Sequence, residues 1–208
     1  LKKLEQEFPE FITQDSPTQK VGGAAKREAG KLVRHNVPML SLQDVFSREE
    51  VEEFVEDMQR QLTEPEFVVE YKIDGLSMAL RYEQGALSLA LTRGDGVNFG
   101  EDVTVNAKVI PDVKKKLKEP VDYLEIRGEV YMKNEDFARV NERQELNGKK
   151  LFANPRNCAA GTLRQLDSKV TKERGLSMFV FNIQQIRGME ITTHTEGYEY
   201  LQRNKIPV

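Results

Sequence analysis

Residues 67–93 read FVVEYKIDGLSMALRYEQGALSLALTR, and the period of this stretch decides the fold. Apolar and polar residues alternate in three runs, FVVEYKID, LSMALRY and ALSLALTR, the two-residue period of half-buried β-strands. Asp74-Gly75 separates the first two runs, and Glu83-Gln84-Gly85 separates the second from the third as a glycine-containing hairpin signal. Three consecutive strands are therefore expected. In the first, Glu70, Lys72 and Asp74 share one face. Val69, Tyr71 and Ile73 share the other, which is expected to pack into apolar surroundings.

Upstream, Ser47 followed three residues later by Glu50 is a capping box. It opens a helix whose apolar stripe is Val51, Phe54, Val55, Met58 and Leu62, and Pro65 ends it. Residues 13–40 hold Ser16-Pro17, Gly22-Gly23 and Pro38 and read as an irregular connector. Residues 1–12 carry Leu1, Leu4 and Phe8 at helical spacing before Pro9 intervenes. Downstream, Tyr123 to Met132 alternates as a strand and a helix is expected from near Asn134 with Phe137 and Val140 inward. Residues 176–187 form a further strand, and Thr193 caps a last helix containing Tyr198 and Leu201. Strands in a run, with helices before, between and after them, predict an α+β domain around a largely antiparallel sheet.

Composition narrows the function classes. The 208 residues are 38% hydrophobic and 31% charged, a polar globular chain with enough length to bury a core without disulfides or metal. The single cysteine, Cys158, excludes an internal disulfide framework and a cysteine-based zinc knuckle. His35 and His194 are too few and isolated for metal ligation, so no metal-binding residue is expected. No apolar run approaches the ~18 residues of a membrane helix, and no signal peptide is visible, so no membrane association is expected. A net charge of −3 gives no global positive field for nucleic acid. Leu rather than Met at position 1 suggests a piece excised from a longer protein.

Several segments can carry chemistry. Lys72 between Glu70 and Asp74 is either an ion-pair stripe or a nucleophile. Neighbouring carboxylates raise a lysine's pKa, whereas a nucleophilic amine must be neutral. The second reading therefore requires a cation, arginines or desolvation to offset them. Arg93-Gly94-Asp95-Gly96, with Gly100 beyond, is either a plain turn or a guanidinium beside backbone that a ligand can approach. Tyr123, Glu125, Arg127, Glu129 and Tyr131 share a strand face that is either solvated or ligand-facing, and Gly128 leaves a gap in the apolar face opposite. In residues 152–167, Asn154-Pro155 favours a turn, and Arg156 and Arg164 suit either phosphate recognition or surface ion pairs. The run Lys114–Lys118 reads as a solvated helix face.

Taken in order, SPTQKVGG, PMLSL, EYKIDG, LTRGDGVNFGEDVT, LEIRGEV and FANPRNCAAGTLRQLD make nearly the whole chain resemble the nucleotidyltransferase (adenylation) domain of bacterial NAD-dependent DNA ligases. K-x-D-G alone is shared with ATP-dependent ligases and capping enzymes; TRGDG, GEDVT and the FANPRN segment are specific to the NAD-dependent branch. The resemblance implies an ATP-grasp-like ligase core. Residues 1–40 would be a remnant of an N-terminal helical domain plus connector, and 41–208 the nucleotidyltransferase domain, truncated before its last two motifs.

It also implies roles. Lys72 would attack the α-phosphate of NAD, release nicotinamide mononucleotide and hold AMP. Glu70, Asp74 and Arg93 would contact the adenine, ribose and neighbouring site residues. Ser41 and Leu42 match a nucleotide-contacting pair, Glu129 would hold ribose hydroxyls or organise metal-bound water, and Phe181 would stack on adenine. Arg156 and Arg164 would serve phosphate or nicked-DNA steps, and Mg²⁺ would neutralise phosphate and lower the lysine's pKa. Zinc is expected only in downstream modules. Nicked double-stranded DNA is the implied partner of a monomeric, cytoplasmic enzyme. Cys158 where the family has Ala, Phe181 where it commonly has Tyr, and Gln43-Asp44 depart from the pattern. Two other readings stay open: a nucleotide-binding module without turnover, and an ATP-using covalent nucleotidyltransferase.

Overall fold

The computed structural model describes Phe8 and residues 30–208. The chain divides into two units at Gly30/Lys31, and the fold below is that of the second. The expected N-terminal helical spacing and residues 13–29 of the expected connector lie outside the described residues.

The second and third alternating runs form the hairpin their turn demands. Strand β2 (Leu76–Glu83) and strand β3 (Ala86–Thr92) are joined by Gln84-Gly85. Both linking residues have positive φ, 48° and 75°, the requirement of a turn whose twist matches the strands. Strands β5 (Tyr123–Tyr131) and β6 (Ser177–Arg187) complete an antiparallel sheet of order β3-β2-β5-β6. A two-stranded ladder pairs β1 (Leu32–Arg34) with β4 (Phe99–Glu101), so three residues of the expected connector are strand.

Alternation then divides the sheet into two faces. Met78, Leu80 and Tyr82 of β2, Leu124, Ile126 and Val130 of β5, and Met178 and Val180 of β6 build the buried core. Helices cover this face with Val140 of α3 (Asn134–Leu146), Ala159 and Leu163 of α4 (Pro155–Leu163), and Tyr200 and Leu201 of α6 (His194–Arg203). The expected gap at Gly128 is filled, because a Cβ there would lie 2.3 Å from the Phe179 carbonyl oxygen and 2.7 Å from the Met178 methyl. Helix α1 (Arg48–Gln61) starts at Ser47 as predicted, but none of its residues is buried; Phe54 meets Phe67 edge-on at 6.2 Å. Helices α2 (Thr104–Ala107) and α5 (Ser168–Arg174) are short.

The opposite face is polar yet covered. Glu125 is fully buried and pairs with Arg81 Nε at 2.9 Å, and Tyr123 OH donates to the same carboxylate oxygen at 2.8 Å. Residues 34–37 lie against this network: Arg81 donates to the Arg34 carbonyl at 3.3 Å, Arg127 to the Val37 carbonyl at 2.9 Å, and Asn36 to Tyr123 OH at 3.0 Å. A solvated reading of Glu125 and Arg127 is therefore corrected. Their alternation marks a face, and the segment leading from β1 closes over it.

Three other expectations change. Residues 67–74 are not a strand, and Val69 and Tyr71 are 97% and 88% exposed rather than packed. The run pairs with no strand among the described residues. Asn154-Pro155 starts α4 instead of making a simple turn: Asn154 Oδ1 accepts from Asn157 N at 2.7 Å and Pro155 fills the first helical position. Lys114–Lys118 is irregular rather than helical, with Val113 and Leu117 buried as anchors and Lys116 bridging Ala86.

Candidate functional site

The sheet sets the site's geometry through one transverse row. Ser77 on β2 stands opposite Glu129 on β5, and Glu129 stands opposite Phe179 on β6. On the other side, Arg93 N donates to the Ser77 carbonyl at 3.2 Å, which places Arg93 at the end of the β2–β3 hairpin beside the same row. Ser77 Oγ donates to Glu129 Oε2 at 2.8 Å.

Gly75 delivers the preceding residues to this row. A Cβ at Gly75 would lie 2.2 Å from the Val130 carbonyl oxygen and 3.0 Å from Glu129 Cγ, so only a glycine lets the backbone pass this close to β5. Lys72 and Asp74 are carried in beside Glu129 as a result. Burial pushes the Glu129 carboxyl above its ordinary range and the Asp74 charge adds to this; the Ser77 hydroxyl, Arg156 and Lys72 act in the opposite sense. Asp74 Oδ1 lies 3.3 Å from Arg156 Nη1, an exposed pair joining the strand-leading segment to the first turn of α4. Lys72, Asp74, Glu129 and Arg156 thus form one charged cluster.

Glu70 stands two residues before Lys72, beside α6. His194 Nε2 lies 2.9 Å from Glu70 Oε1, and Tyr198 OH hydrogen-bonds to the same oxygen. Tyr198 OH also lies 3.1 Å from the Phe181 carbonyl oxygen. Phe181 sits where the β5–β6 register slips between Arg127 and Gly128, so it occupies the bulged strand beside Glu70.

Arg93 reaches Ser41 Oγ at 2.8 Å through Nη2, and its carbonyl accepts from His35 Nε2 at 3.0 Å. Met39 N donates to the Gly96 carbonyl at 2.6 Å, tying the segment before Ser41 to the glycine-rich turn. Leu42 beyond it is 76% exposed. Arg164 is drawn elsewhere: its Nε pairs with Glu101 on β4 at 2.8 Å, whereas Arg156 pairs with Asp74. Eight residues of spacing thus separate the two arginines into different ion pairs.

Sequence reading missed Ser77, Tyr198 and His194 as site neighbours. Ser77 was findable, since it stands in register with Glu129 once β2 and β5 are paired. The α6 pair meets Glu70 across 124 and 128 residues, which no local pattern reports.

A primary amine, two carboxylates and a guanidinium at one end, with an acceptor beside an aromatic residue at the other, have the chemistry to hold a phosphate and a base. Among the described residues, no group of three or more His, Cys, Asp or Glu side chains could hold a metal ion, and no helix is long and apolar enough to cross a membrane.

Comparison with known proteins agrees with a nucleotide-handling class. Residues 28–208 match the family described as the NAD-dependent DNA ligase adenylation domain, and residues 1–22 match the DNA ligase-like N-terminal NAD⁺-binding domain. The DNA ligase of Clostridium kluyveri is 51% identical over 208 residues, all of this chain and 31% of that protein. The DNA ligase of Acetivibrio thermocellus is 53% identical over 203 residues, 97% of this chain and 30% of that protein. That of Carboxydothermus hydrogenoformans is 50% identical over 200 residues, 95% and 30% respectively. The chain belongs to the NAD-dependent DNA ligase adenylation domain family. It spans about a third of the length of the relatives it matches.

Proposed function

We propose that this chain takes AMP from NAD onto Lys72, as the adenylating part of a ligase that seals nicked double-stranded DNA. The observation that supports this is the gathering of Lys72, Asp74, Glu129 and Arg156 in a chain of this family. The amine of Lys72 attacks the α-phosphorus, the phosphorus–oxygen bond to nicotinamide mononucleotide breaks, and that mononucleotide leaves with the electron pair. The lysine nitrogen loses a proton in forming the phosphoramide. AMP then passes to the 5′-phosphate of the nick, and the 3′-hydroxyl displaces it to seal the strand.

The amine must be neutral to attack. Arg156 stands against Asp74, and burial favours the uncharged form of Glu129, so both neighbouring carboxylates are offset. Ser41, Leu42, Glu70, Arg93, Glu129 and Phe181 are the nucleotide contacts in this reading, with Arg156 and Arg164 acting on phosphate or DNA. Mg²⁺ would be carried in on the substrate's phosphates, with the exposed Asp74 carboxylate beside them. It would supply charge neutralisation. Residues 1–40, a helical-domain remnant plus connector, would precede the nucleotidyltransferase domain at 41–208, with the match over 1–22 as support. A monomer working in the cytoplasm completes the reading.

Intact mass on the longest natural chain containing these residues tests it. Bound adenylate is first stripped with nicotinamide mononucleotide, then NAD or ATP is added with Mg²⁺. One AMP gained from NAD and mapped to Lys72 is the expected result, and Lys72→Ala abolishes it with the fold intact. Gain from ATP alone, or AMP on the Lys72→Ala protein, refutes the assignment; no gain from either leaves a binding module without turnover.

A further inference from the structure

Glu70 is held by one of its two oxygens. Tyr198 OH and His194 Nε2 both meet Oε1, and Oε2 carries no hydrogen bond among the described residues. The two partners stand four apart on α6, hence on one helical face, and their rings pack at 4.3 Å between centroids. The helix itself is fixed. Thr193 and Glu196 close a capping box at its start, and Tyr200 and Leu201 bury its other side in the core. A carboxylate gripped from such a helix does not swing freely.

Tyr198 has one hydroxyl hydrogen and two acceptors in reach, Glu70 and the Phe181 carbonyl. The charged acceptor is the stronger of the two. Burial and the adjoining Glu70 charge push the Tyr198 phenol above its ordinary range, so it stays an O–H donor at any working pH. The Phe181 carbonyl, 3.1 Å from the same hydroxyl, is the competing acceptor, which places Glu70 and the Phe181 backbone around one phenol oxygen.

We propose that Tyr198 and His194 are positioning residues for base selection: they lock Glu70 through Oε1 so that Oε2 is presented to the nucleobase at Phe181, where it accepts from an exocyclic amine. The inference rests on the reading above, in which Glu70 and Phe181 hold the base of the nucleotide. A base bearing an amine satisfies Oε2. A base bearing a carbonyl at the same place sets two acceptors against each other, and a site built for a hydrogen bond rejects the analogue that cannot make it. Freed from α6, the carboxylate can turn away, and the discrimination falls.

The test compares NAD with nicotinamide hypoxanthine dinucleotide, which replaces the adenine amine by a carbonyl. The readout is kcat/KM for nucleotidyl transfer onto the lysine in the longest natural chain. The native protein prefers NAD. Tyr198→Phe is expected to lower that preference roughly tenfold, the worth of one charge-assisted hydrogen bond, mainly through KM for NAD. His194→Ala lowers it likewise, whereas His194→Gln, whose amide still donates to Oε1, keeps most of it. If Tyr198→Phe fails to fold, the Ala and Gln variants at 194 still decide the matter. Equal losses with both dinucleotides, or no change with either, overturn the proposal and leave α6 a structural support. Glu70→Gln separates the two levels. If it collapses the preference while the 194 and 198 variants do not, only this inference falls. If it leaves the preference intact, Glu70 does not read the base and both fall.

Discussion

Gly75→Ala is the sharpest perturbation of the Lys72 cluster, because the glycine contributes no side chain of its own to it. The added Cβ would lie 2.2 Å from the Val130 carbonyl oxygen and 2.9 Å from its carbon, with Glu129 Cγ at 3.0 Å. Ordinary contact begins at 3.4 Å, so the backbone at Gly75 must withdraw by about 1 Å, a misplacement that can cost on the order of 100-fold in rate. The withdrawal falls on residues 72–75, since β5 is bonded on both sides by β2 and β6. Overpacking of this kind costs about 1–3 kcal/mol of stability. The rate at which the full-length protein gains one AMP from NAD reads the first effect, and urea unfolding reads the second. The Ala variant is expected to fold, to unfold at lower urea, and to adenylate roughly 100-fold more slowly. Adenylation at the native rate would show that the close approach at Gly75 does not place Lys72, and the reasoning would fail.

Two more predictions concern the covered polar face and its end. Arg81→Met strands the fully buried Glu125 carboxylate and is expected to cost about 3–5 kcal/mol in urea unfolding; adding Glu125→Leu recovers a large part, and equal losses in the single and double variants would refute the pairing. Glu129 has its folded-state pKa raised by burial, so its contribution is fully present below the unfolded carboxylate value and is lost as pH rises through the folded one. Glu129→Gln lacks that titration, so its Tm relative to the native chain should rise between acid and neutral pH; a difference that stays flat with pH contradicts the shift.

The elements that sequence reading located are those whose signals are local. The hairpin at Gln84-Gly85, the strand 123–131 and the Thr193 cap each declare themselves within a few residues. The run at 67–74 has the same two-residue period as β2, yet it is not a strand, because a period reports which side chains alternate and says nothing of whether a partner edge is open. The same limit applies to Glu125 and Arg127. Alternation gave them a common face, but the residues that cover that face, Arg34 to Val37, lie 47 to 90 positions before the side chains they meet. At the site, spacing along the chain put Glu70, Lys72 and Asp74 on one face, yet Glu70 meets α6 and Asp74 meets Arg156, while register pairs Ser77 with Glu129. It could not tell that Arg156 turns to Asp74 and Arg164 to Glu101.

The polar face of the sheet is graded along β5, and the gradient bears on how a lysine flanked by carboxylates can work. At Glu125 the charge is fully buried, paired with Arg81 and hydrogen-bonded by Tyr123, a network that is costly to break on one side only. At Glu129 the carboxyl is partly buried with Ser77 as donor, and burial shifts it toward the neutral form. At Asp74 the charge is exposed and its partner Arg156 equally so, with side chains 77% and 62% accessible. Exposed pairs of this kind contribute little and separate readily. The rigid network therefore lies deepest, where it holds the segment leading to Ser41, and the most easily exchanged ion pair lies beside Lys72. In the proposed function, an incoming phosphate would compete there with a single solvated carboxylate for Arg156, and nothing in the buried network would have to open for that exchange.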